Sequence, residues 1–129
     1  MIREIEMNGT TYQFNFGMGF LREMNSRAVR EVGSVTGSAA KKGVGFALAV
    51  AYLIDGDVDT LADVLYTANA GQRPRLTRAD VDEYLEDDGT DIDKLFEDVL
   101  DFLRQSNATA KDTKKTLEAA EQEKKKAEK

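Results

Sequence analysis

The chain has 129 residues, 18 Lys and Arg against 24 Asp and Glu, a net charge of −6, and neither Cys nor His. That length supports one domain with a real core. Without Cys there are no disulfides or thiolate metal sites, and without His the commonest general base and metal ligand are missing. The charge is uneven: residues 111–129 hold seven Lys against five acids, leaving 11 basic against 19 acidic residues before them. An acidic body does not seek phosphate backbones, so the composition speaks against nucleic acid. No apolar run is long enough to span a membrane, and Arg3, Glu4 and Glu6 interrupt any signal-peptide pattern.

The chain opens on a hairpin. Residues 2–7 and 10–16 flank Asn8-Gly9, a dipeptide suited to a two-residue turn. That loop pairs Met7 with Thr10, Ile5 with Tyr12 and Arg3 with Phe14. Ile5, Met7, Tyr12, Phe14 and Phe16 then share one face, and Glu4, Glu6, Thr11, Gln13 and Asn15 the other. Two strands alone are marginal in water, so the aromatic face has to lie on helices or on further strands.

Gly17-Met18-Gly19 follows the hairpin. A dinucleotide fingerprint would need a third glycine where Arg22 stands, and a βαβ setting, so a tight strand-to-helix turn with close packing is the better reading. The helix after it is expected to run to about Val32, with Met18, Leu21, Met24, Ala28 and Val32 inward as core filler. Glu23 and Arg27 form an i,i+4 pair on its outer side.

The run from Asn8 to Met24, ending Phe16-Gly17-Met18-Gly19-Phe20-Leu21-Arg22-Glu23-Met24, resembles the N-terminal signature of the tail assembly chaperones of long-tailed bacteriophages. The resemblance covers about the first 25 residues closely. It implies a non-enzymatic holdase that coats the long, hydrophobic, helical tape-measure protein while tube subunits polymerise around it. It further implies self-association, work in the host cytoplasm and absence from the mature virion, with the tail tube protein as a second partner. Nothing in the reading calls for a cofactor or metal. The resemblance also implies a product made in two lengths by ribosomal slippage. The Lys124-Lys125-Lys126 run implies A-rich codons, where slippage would occur.

Residues 33–43, rich in Gly and Ser, read as a mobile connection. Val44–Ile54 is the only long apolar run. A buried strand competes there with a helix, and length with three alanines favours a helix enclosed on nearly every side. Gly56 is placed to end it and Asp57 to cap the next helix, which reaches about Ala70 and buries Leu61, Val64, Leu65 and Ala68. Asp55–Asp59 also looks like the start of a calcium loop, but Thr60 and Tyr66 stand where Gly and Glu are required.

Arg73-Pro74-Arg75 marks a loop, and its arginines in an acidic body suit an acidic partner. Thr77 and Asp80 read as a capping box before a short helix with Val81, Tyr84 and Leu85 inside. From Asp80 to Asp101 there are eleven acidic residues and one Lys. Such density suits a metal or a general acid/base pair. Placement at helix starts or on outward faces favours a solvated surface.

The last helix is expected from about Asp91 with Thr90 as cap, its stripe being Ile92, Leu95, Phe96, Val99, Phe102 and Leu103. A narrower seam continues in steps of three and four through Leu103, Ser106, Ala110, Thr113 and Leu117. Arg73, Arg75, Leu103, Ala110 and Leu117 are therefore the candidates for partner binding or self-association. The seam fades, so residues 105–129 read as a charged extension to a body of 1–104. That extension is disordered, a single projecting helix, or a helix ordered by another subunit or client.

The fold class is α+β: an N-terminal hairpin packed on a mainly helical bundle with a long charged C-terminal helix. Two rival functions remain open on residues alone: an acidic adaptor for one host protein, and a hydrolase using paired carboxylates.

Overall fold

A computed structural model describes residues 2–32 and 40–127. Strands β1 (Ile2–Met7) and β2 (Thr10–Asn15) pair antiparallel in the expected register, Arg3 opposite Phe14, Ile5 opposite Tyr12 and Met7 opposite Thr10. Asn8 and Gly9 both take positive φ, +52° and +84°, as the twist-matched turn demands. Met7, Tyr12, Phe14 and Phe16 are buried, and Ile5 is half-buried against them.

Helix α1 (Met18–Asn25) is shorter than its periodicity suggests. It ends at Ser26, and Val29–Val32 forms strand β3, paired antiparallel with β4 (Ala40–Gly43). β-branched Val29 and Val32 suit a strand better than a helix end, and pairing with Ala40–Gly43 overrides the helical spacing. Met18, expected inside, is exposed, and Phe20 with Met24 supplies the buried face. Residues 40–43 of the expected connection are thus a strand, and 33–39 lie outside the described residues.

Helix α2 (Gly45–Ile54) lies at the centre. Phe16 meets Phe20 edge-on with centroids 5.3 Å apart, Phe20 meets Phe46 at 5.9 Å, and Phe16 also meets Phe102 at 5.9 Å. This aromatic chain joins the end of the hairpin, α1, α2 and the later helix that carries Phe102, and such pairs add to plain area burial. α2 approaches α1 so closely that a Cβ on Gly45 would collide with the Met24 carbonyl oxygen. The Asn25 side chain accepts a bond from Phe46 N at 3.0 Å and satisfies the start of α2.

Helix α3 (Val58–Ala68) begins at Asp57, which accepts from Thr60 N, and buries Leu61, Val64, Leu65 and Ala68 as expected. Helix α4 (Arg78–Glu86) starts with the complete Thr77/Asp80 capping box. Helix α5 (Ile92–Gln105) is capped by Asp91, which accepts from Lys94 N at 3.0 Å. Thr90, expected in that role, donates instead to Tyr84 O at 2.7 Å.

The helical seam breaks at Ser106. Its extended backbone ends α5, and its hydroxyl donates to Phe16 O at 2.5 Å. Thr109 Oγ1 donates to Leu103 O at 2.7 Å. Helix α6 (Ala110–Ala127) then packs on α2 and α5 rather than continuing α5 outward. Its contact face is small, with Thr113 buried and Ala110, Thr116, Leu117 and Ala120 half-buried, while residues 121–127 are exposed.

Candidate functional site

The most apolar helix of the chain is not fully enclosed. Leu48 is 43% exposed and Tyr52 is 52% exposed, and four-residue spacing sets them in one row along α2. This corrects the expectation that α2 is covered on nearly every side: α1, α3, α5 and α6 pack on it and leave that row open. Beside Leu48 runs a groove of about 550 Å³ between α2, α6 and the β3–β4 hairpin. Val44, Ala47 and Leu48 come from α2 and its cap, Thr116 and Ala119 from α6. The small side chains of Ala47 and Ala119 keep the groove open to close approach.

The rim is charged. Arg30 and Lys42 come from the hairpin, and Asp112 and Lys115 from the first turns of α6. Three cations against one carboxylate invert the sign of the acidic body. Arg30 and Lys42 are directly opposite each other in the β3–β4 register, whereas Glu31 faces Lys41 on the other side. Like charges facing across two strands destabilise a hairpin, and opposite charges stabilise it.

The residues singled out by sequence are dispersed. Arg75 is tied into the fold: its guanidinium stacks on Tyr66 at 4.1 Å from the ring centroid and donates to Tyr66 O and to Asn69 Oδ1. Arg78 stacks on the same ring at 4.2 Å and pairs with Asp63, which also pairs with Arg27. Arg73 is exposed on the loop. Leu103 is fully enclosed in the core, and Ala110 and Leu117 are half-buried on α6. Ala110 and Leu117 thus belong to the helix that walls the groove. Leu48, Tyr52, Arg30, Lys42 and Lys115 were not singled out. The usable signal was the paired pattern Val29-Arg30-Glu31-Val32 and Ala40-Lys41-Lys42-Gly43, which sequence reading assigned to a helix end and a loop.

Five of the eleven acids between Asp80 and Asp101 serve local structure. Asp80 completes the capping box, Asp91 caps α5, Asp87 accepts from Gly89 N at 2.8 Å, and Asp101 pairs with Arg104. Asp98 accepts from Lys94 Nζ at 2.9 Å, and this bond, with the charge of Asp98, holds the exposed ammonium above its ordinary pKa. Among the described residues no cluster of three or more acidic side chains is placed to hold a metal ion, and no helix is long and apolar enough to cross a membrane. The groove offers an apolar floor and fixed charges, which suit binding a polypeptide.

A family model described as phage tail assembly chaperone protein, TAC, matches residues 4–118, from β1 through the first half of α6. Searches of curated proteins and of solved structures return no match. The chain belongs to the phage tail assembly chaperone family.

Proposed function

We propose that this chaperone acts without catalysis on the tape-measure protein in the host cytoplasm, holding a helical segment of it in the α2–α6 groove. The observation that carries this reading is the open row of Leu48 and Tyr52 on the most apolar helix. Side chains four apart form a ridge that packs into the groove of another helix. α2 is ten residues long, or about 15 Å, so one chain covers three turns of client at most. A long client therefore takes several copies along its length, and the copies leave when tube subunits replace them.

The test is co-expression with the tape-measure protein, reading the client's soluble fraction. The double variant Leu48→Ser, Tyr52→Ser should fold, because both side chains already face water, and should lose most of the solubilised client. An Arg73→Ser control, at an exposed loop position, should retain it. Undiminished solubilisation by the double variant would remove the groove from the mechanism.

A further inference from the structure

The rim of the groove specifies what flanks the bound ridge. Arg30 and Lys42 face each other across β3 and β4, an arrangement that weakens the hairpin they sit on. Lys115 faces the same groove from α6. Among the described residues, none of these three cations makes an ion pair. The surrounding body is strongly acidic, so a local cationic rim is not an extension of a general basic surface. A like-charge pair at an apolar groove is relieved when an anionic group binds between its members.

We propose that the groove selects an amphipathic helix whose apolar ridge is bordered by Asp or Glu, the carboxylates seating on Arg30, Lys42 and Lys115. This deepens the client-binding reading and rests on it. Leu48 and Tyr52 engage the ridge, while the cations set its register and exclude Lys-bordered helices, which the acidic body would otherwise draw in. The rival occupant is a second copy of the chain, whose Val58 is exposed beside Asp59, Asp82 and Glu86.

The experiment uses the full chain and two fluorescein-labelled synthetic helices with the same Leu/Ala ridge, one bordered by Glu and one by Lys, read by anisotropy at low salt. The Glu helix should bind about tenfold tighter than the Lys helix, and the gap should narrow as salt rises. Arg30→Glu is the informative variant, because it turns the repulsive strand pair into an attractive one. It should keep or raise the melting temperature while weakening the Glu helix by about tenfold. A purely structural Arg30 would leave the affinity unchanged, which would overturn the assignment. Equal affinities for the two helices, with binding still lost in the Leu48→Ser, Tyr52→Ser variant, would overturn the charge selection and leave the groove reading standing. Binding untouched by that double variant, or no binding of either helix, would overturn both. Light scattering of the chain alone supplies the last arm: self-association that Arg30→Glu abolishes would assign the groove to a second copy and overturn the proposal.

Discussion

Two glycines that look alike in sequence do different work. Gly19 has nothing within 4 Å of where a Cβ would stand, whereas a Cβ on Gly45 would run into the Met24 carbonyl and come within 3.0 Å of its carbon. Backbone cannot yield as a flexible side chain can, so Gly45→Ala forces α1 and α2 apart and should cost about 2–3 kcal/mol. Gly19→Ala fills open space inside a helix and should gain up to about 1 kcal/mol. Denaturant melts of the two variants check the contrast, and equal effects would show that the α1–α2 contact is looser than described. The sequence motif Gly-x-Gly drew attention to the wrong glycine, because a close approach from a helix 20 residues away leaves no local trace. Asn69 was equally invisible. It is fully buried and bonds Gln13 O, Pro74 O, Leu76 N and Arg75, a role that its polar character alone does not reveal.

At the level of elements, local chemistry was legible wherever a segment could be judged from its own residues. Asn8-Gly9, Asp57 and the Thr77/Asp80 box all do what their types suggest. Failure came where a partner distant in sequence decides the outcome. Val29–Val32 is a strand because Ala40–Gly43 lies beside it, and α6 turns back because Ser106 finds the Phe16 carbonyl. The small face of α6 then follows: it covers α2 with Thr113, Ala110 and Leu117, not with a large apolar stripe. Among the described residues, a chain ending at Ala120 loses only exposed positions, and it should melt within about 3 °C of the full chain. One ending at Thr109 uncovers α2 and should melt about 10 °C lower or more. Calorimetry separates the cases, and equal melting points would mean that α6 adds nothing to the body.

For the whole molecule, the hairpin-on-helices class and most of the core were readable, while the groove was not. Its walls come from α2, α6 and β3–β4; the sequence reading places α6 in a charged extension and the two strands in a helix end and a loop. No periodicity points to a space that exists only after the chain has folded back on itself. The groove also sets a rule for stoichiometry. If each chain holds about 15 Å of helix, complexes with client fragments of increasing length should gain mass in steps of one chain. Light scattering after gel filtration reads this directly, and a fixed one-to-one complex at every length would contradict coating.

The bond from Ser106 to Phe16 joins residues 90 positions apart, and that separation has a meaning in time. During synthesis at roughly 5–20 residues per second, about 5–18 s pass between the emergence of Phe16 and that of Ser106. For nearly all of that interval Phe16 lacks Phe102 across its ring, and the aromatic side of the hairpin has only part of its cover. If, as proposed, this chaperone shields another chain's apolar helix, it passes through an unshielded period of its own on the ribosome. General folding helpers near the ribosome have those seconds in which to attend to it.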